Sequence, residues 1–135
     1  MCLELKGLAF KRIATKNIIV YKQLSSYEVN GVIKYVTPYQ KSEIVIGETY
    51  KSELKRYNNR IEVGLHSFVT ISDCFDNSCH IGSIVWVNGN RTVKPVLVEC
   101  IIPIGARYYK GVFDGKYKSL ASDTLVYNRI LGFNK

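Results

Sequence analysis

Two apolar runs joined through Asn-Gly constrain this chain most. Gly82–Val87 (GSIVWV) leads into Asn88-Gly89-Asn90, and Thr92–Ile102 follows. Asn-Gly between such runs is the strongest short-range signal for a β-hairpin, because these residues take positive φ at little cost. The pattern recurs along the chain. Asn17–Gln23 (NIIVYKQ) is apolar and β-branched, as a strand requires. Gly31–Thr37 alternates Val32, Lys34 and Val36 against Ile33 and Tyr35 and stops at Pro38, since a residue before proline is held out of the helical region. Further strands are expected at Ser42–Ile46 and Thr49–Tyr50, paired around Gly47-Glu48, and at Gly64–Val69. A final pair is expected within Ser122–Ile130, after a turn at Asp114-Gly115. Helix is scarce. Thr70 or Ser72 can cap a short one that places Ile71, Cys74 and Phe75 on one face and ends by Gly82. Lys51–Tyr57 reads as a single helical turn. The expected fold class is α+β, mostly antiparallel β, a small sandwich or partly open barrel with one or two short helices.

The chain has 135 residues, 47% hydrophobic and 22% charged, which suits one globular domain over residues 1–135 and excludes a disordered chain. No apolar run approaches the ~18 residues a membrane helix needs, and Val96–Gly105 is interrupted by Glu99 and Pro103. No repeat is present. Cys2, Cys74, Cys79 and Cys100 are too sparse for a disulfide scaffold, and the N-terminus lacks the apolar core of a signal peptide. A reduced protein of the bacterial host cytoplasm is therefore expected, without membrane partners. Cys74, Cys79 and His80 invite a zinc reading but lack a second ligand pair at suitable spacing, so neither metal nor cofactor is expected.

The net charge is +8, unevenly spread. Residues 1–60 carry eleven Lys/Arg against five Asp/Glu and residues 101–135 carry six against two, whereas the middle is slightly acidic. A basic surface attracts phosphates of every kind. The chain holds only two histidines, and in a strand His66 and Ser67 point to opposite faces, so they are not a base–nucleophile pair. No hydrolase elbow, P-loop, dinucleotide glycine motif or HExxH occurs. Ten tyrosines, many beside a cation, offer flat faces for a base and hydroxyls for ribose or phosphate. Gly105–Lys118, read as a loop, is richest, with four cations and three tyrosines. Nucleic acid is a less favoured partner, because the basic residues form no single run and no RNA-binding signature is present.

Four pieces of the chain carry a family resemblance. They are Val20-Tyr21-Lys22; Thr37-Pro38-Tyr39 with Ile46-Gly47-Glu48-Thr49-Tyr50; Ile61 to Phe68 (IEVGLHSF); and Cys100 to Gly111 (CIIPIGARYYKG) running on to Ala121-Ser122-Asp123. Together they resemble a group of small bacterial and phage proteins, which often have Lys where Ile104 stands here. The resemblance implies a phage or mobile-element setting, where small proteins without catalytic motifs often inhibit host defences, one type by sequestering nucleotide signals. Tyr21-Lys22, His66-Ser67-Phe68 and Ala121-Ser122-Asp123 also resemble, in order and spacing, the three strand motifs of ADP-ribosyltransferase-type domains. Asp123 stands where those domains commonly supply glutamate.

The expected function is non-enzymatic binding of a small phosphorylated ligand, probed by Tyr21, Lys22, His66, Ser67, Arg107, Tyr108, Tyr109 and Asp123. Arginine would grip phosphate through two prongs, tyrosine would stack on a base, and His66 would donate to phosphate or ribose. The alternatives are an ADP-ribosyltransferase-like enzyme acting on a nicotinamide dinucleotide with His66 and Asp123, and an inhibitor that binds a host defence protein through a tyrosine-rich surface. An exposed strand edge also allows a homodimer.

Overall fold

The computed structural model describes residues 3–5, 10–37, 43–76, 86–87, 90–113 and 117–133. Among these the chain is mostly antiparallel β with one short helix, the class its alternation implies. The strands are β1 (Leu3–Glu4), β2 (Arg12–Ile13), β3 (Ile18–Val29), β4 (Val32–Val36), β5 (Glu43–Ile44), β6 (Thr49–Lys51), β7 (Lys55–Tyr57), β8 (Arg60–Val63) and β9 (Leu65–Phe68). The helix α1 (Ile71–Asp76) follows, then β10 (Trp86–Val87), β11 (Asn90–Ile102), β12 (Arg107–Phe113), β13 (Tyr117–Ser122) and β14 (Thr124–Phe133). They form one sheet in the order β6-β14-β11-β3-β9-β13-β12-β1-β8-β7, with β4 also on β3, β5 on β4, β10 on β11 and β2 on β12. The sheet is open, ending at β6 and β7.

The Asn-Gly signal is borne out. Val87 pairs with Asn90 and Trp86 with Arg91, leaving a two-residue connection between β10 and β11. A second Asn-Gly closes β3 onto β4. Val29 pairs with Val32, and Asn30 and Gly31 have φ of 50° and 80°. Positive φ at both positions matches the right-handed twist of the flanking strands.

β3 and β11 are the spine of the sheet, paired from Ile18↔Ile102 to Thr92↔Tyr27. Alternate residues supply two opposite packing surfaces. Val20 and Leu24 join Val96, Val98, Cys100, Ile102, Leu120, Leu125 and Tyr127 in the largest cluster. On the reverse face Leu97 packs with Phe68 and Cys74, under α1, with Tyr21 and Tyr117 at its margin. A third cluster holds Leu5, Ile61, Tyr109 and Ala121. Each fully buried Val, Leu or Ile contributes about 1.5–3 kcal/mol.

Three local expectations are corrected. Ser42–Ile46 and Thr49–Tyr50 do not pair with each other. β5 pairs with β4 and β6 with β14, while the turn between them is held by Glu48 N donating to Val45 O and Val45 N donating to the Tyr50 hydroxyl. Lys51–Tyr57 contains no helical turn. Its ends are β6 and β7, because pairing with β14 and β8 satisfies the backbone that a helix would have satisfied internally. The stretch read as a loop at Gly105–Lys118 is mainly strand, with β12 pairing β13 from Tyr108↔Ser122 to Phe113↔Tyr117. The helix start is as expected, with the Thr70 hydroxyl accepting from Asp73 N at 3.1 Å. The Asp114-Gly115 turn and residues 77–85 lie outside the described residues.

Leu24 sits at the middle of the spine with no exposure. Leu24→Ala is expected to lower unfolding free energy by about 2–5 kcal/mol in a denaturant titration, through lost transfer energy and a residual cavity. Ile33→Ala, on the exposed side of β4, is expected to change it by about 0.5 kcal/mol or less.

Candidate functional site

The sheet splits along one edge of β3. Tyr21 pairs with Phe68 of β9, whereas Ser25 through Val29 pair with β4. Residues 22–24 fall between these partners, with no ladder pair assigned on that edge. In the register set by Tyr21↔Phe68, Lys22 lies level with Ser67, and Gln23 with His66. The sequence is unusually polar here. Gln23, Ser25, Ser26, His66, Ser67, Ser119 and Ser122 are all buried.

Alternation sorts these groups onto two faces. Lys22 lies between Val20 and Leu24 on the face of the main core, and Ser67, opposite Leu120, shares that face. Gln23 and His66 take the reverse face, where His66 is opposite Ala121 and Ser119 is opposite Phe68. Gln23 Nε2 donates to the Cys74 carbonyl at 3.0 Å, which ties β3 to α1. Gln23 Oε1, Ser67 Oγ and Ser119 Oγ are buried without a hydrogen-bond partner. Each unsatisfied group costs about 1–3 kcal/mol, so three of them on the adjacent strands β3, β9 and β13 mark a place the fold tolerates for another reason.

Burial shifts several groups here toward their neutral forms. Burial pushes the Lys22 amine below its ordinary value, partly offset by the thiols of Cys100 and Cys74. Burial, and then the nearby Lys22 charge, bring His66 down to about 3, so its imidazole is neutral at physiological pH and offers one N–H donor. Burial pushes the thiols of Cys74 and Cys100 up to about 12, which leaves them protonated and poorly nucleophilic. The ion pairs of the described residues are Lys34–Glu43, Lys55–Glu53 and Arg129–Glu99, so Lys22 has no carboxylate partner among them. A half-buried lysine without a carboxylate partner among the described residues, on the same face as an unpartnered hydroxyl, is suited to an anion. Among the described residues no group of three or more His, Cys, Asp or Glu could hold a metal ion. Cys79 and His80 lie outside them.

Tyr21, Lys22, His66 and Ser67 are therefore gathered at the seam. Arg107, Tyr108 and Tyr109 lie two strands beyond β9, on β12, about 10 Å away at ordinary strand spacing. They also diverge from one another. Arg107 is exposed. Tyr108 is half-buried against the main core, on the face of Lys22. Tyr109 is buried in the separate cluster with Ala121, its ring 6.0 Å below the Arg56 guanidinium. Asp123 ties strand ends together. Its carboxylate accepts from Arg107 N and from the Thr124 hydroxyl, both at 3.0 Å, and its backbone bonds Arg107 O and Ser52 N. Gln23 and Ser119 escape sequence reasoning. The one signal for Gln23 is a polar residue between apolar Val20 and Leu24 in a strand-forming run.

Two measurements check this electrostatic reading. Folding lowers the His66 pKa from 6.5 to about 3, so the unfolded chain binds the extra proton between those values. Stability from this group is intact above about pH 6.5 and declines toward pH 3 by up to about 1.4 kcal/mol per unit. His66→Gln is expected to flatten that part of the stability profile relative to wild type. In native protein treated with iodoacetamide, peptide mass mapping is expected to show Cys74 and Cys100 unmodified, with both alkylated after unfolding.

No protein-family model matches the chain, and no curated protein or solved structure is significantly similar to it.

Proposed function

We propose that this chain binds a small phosphorylated ligand of nucleotide type without turning it over, with the phosphate received at the β3–β9 seam. One observation carries the reading: Lys22 is a desolvated amine lacking a carboxylate partner among the described residues, level with the orphaned Ser67 hydroxyl. A phosphate would supply the missing counter-charge and an acceptor for the hydroxyl, and charge-assisted bonds of this kind are the strong ones. Tyr21, half-buried beside the seam, gives a ring face for a base, and neutral His66 gives an N–H for ribose or phosphate. Exposed Arg107 and half-buried Tyr108 would meet the distal part of an extended ligand. In a phage or mobile-element setting, such a binder would sequester a nucleotide signal of host defence.

The test joins a thermal-shift panel of dinucleotides, ADP-ribose derivatives, cyclic nucleotides and short single-stranded DNA with the variant Lys22→Met. A ligand at ~100 times its dissociation constant adds about 2.7 kcal/mol to wild-type stability. Lys22 pays a burial cost whenever it is charged, since its pKa lies below the unfolded value of 10.5. Lys22→Met is accordingly expected to raise ligand-free stability by about 1 kcal/mol near pH 7 while abolishing the ligand-induced shift. Arg107→Ala is expected to weaken binding about tenfold with little change in ligand-free Tm. An undiminished shift in Lys22→Met removes the seam as the site. Consumption of the dinucleotide, lost in Asp123→Ala, replaces the binder by a transferase.

A further inference from the structure

Three exposed apolar residues lie on segments bonded together across β12 from the seam. Ala14 N donates to Ala106 O and Gly105 N to Ala14 O, both at 2.8 Å, and Ile104 N donates to Asn17 Oδ1 at 3.0 Å. With Ile13 opposite Arg107 and Arg12 opposite Tyr108, these bonds hold segment 10–17 against the turn that follows β11. That turn is closed by Ala106 N donating to Pro103 O, with Gly105 at φ 89°, and it carries Ile104 at its corner. Phe10, Ile13 and Ile104 are 73%, 61% and 65% exposed, although each is large and apolar. Single exposed apolar residues are ordinary, but three on mutually bonded segments are not scattered.

Two observations say what would cover these residues. First, segments 10–17 and 103–108 contain no acidic residue, whereas Lys11, Arg12, Lys16 and Arg107 are all exposed there. The nearby Asp123 carboxylate is already engaged by Arg107 N and Thr124. A second copy presenting the same face would be repelled, and an acidic partner attracted. Second, among the described residues β2 pairs with β12 alone, so its outer edge has no ladder partner among them. A strand edge is satisfied by another extended polypeptide, and neither a lipid surface nor a nucleic acid supplies that ladder.

We infer that Phe10, Ile13 and Ile104, with the β2 edge and its basic rim, form a docking surface for an extended acidic and apolar segment of a partner protein. The surface is separate from Lys22 and shares only Arg107 with the proposed ligand site, so Lys22→Met tests the two apart.

The probe is a fluorescently labelled peptide of alternating glutamate and phenylalanine, with a control in which lysine replaces glutamate. Anisotropy is expected to show saturable binding of the acidic peptide, weaker at high salt. Affinity should fall about tenfold in Ile104→Ser and in Arg12→Glu, both at exposed positions where the fold tolerates substitution, and should be unchanged in Lys22→Met. Absence of binding, equal binding of the lysine peptide, or unchanged affinity in both surface variants overturns the inference. Binding to phosphatidylserine vesicles in place of the peptide also overturns it, as does a dimer in sedimentation that Ile104→Ser dissolves.

Discussion

Pairing between β3 and β11 is the constraint on which the rest of the structure depends. The two longest strands lie side by side, and β3 is covered on both faces, by the main core on one and by Leu97, Phe68 and α1 on the other. A strand in that position must bury whatever side chains its sequence places there. Val20 and Leu24 meet the requirement at a gain. Gln23, Ser25 and Ser26, which are buried, and Lys22, which is half-buried, meet it at a cost, offset by the apolar residues around them and, for Gln23, by its bond to the Cys74 carbonyl. The cost falls where β3 exchanges β9 for β4 as neighbour.

That exchange is also what gives the seam its chemical character. A regular ladder would occupy the edge of residues 22–24 and bring β9 close along its whole length. The single Tyr21↔Phe68 pair instead leaves polar side chains of β3 and β9 at this edge, with Gln23 Oε1 and Ser67 Oγ unsatisfied. Burial then sorts their charge states. The imidazole loses its proton, the thiols keep theirs, and the amine is shifted toward its neutral form.

Legibility followed the strength of local signals. Alternation in Val32–Val36, the Asn-Gly connection before β11 and the Thr70 cap are nearest-neighbour effects, and each reappears in the fold. β7 and β8 were not legible, because Lys55–Tyr57 is fully exposed and Arg60–Val63 buries only Ile61, so neither carries a two-sided pattern. Gly105–Lys118 looked like a loop because its glycines suggested turns, yet β13 and β2 on either side of β12 hold the backbone extended. The candidate site divided in the same way. Tyr21-Lys22 and His66-Ser67 could be named from residue type, whereas Arg107-Tyr108-Tyr109 could not be known to diverge until their strand had been recognised.

Residue order and turn chemistry were enough to specify a β-rich chain with scarce helix, because period-two alternation and positive-φ dipeptides act over a few neighbouring residues. They also placed a lysine and a histidine within strands. Tertiary structure alone decided that Lys22 and Ser67 share one face while Gln23, His66 and Ser119 share the other. Those relations depend on register between segments separated by more than forty residues of chain. Register is set when distant apolar faces are buried together, and a shift of one residue would turn every one of these side chains to the opposite side.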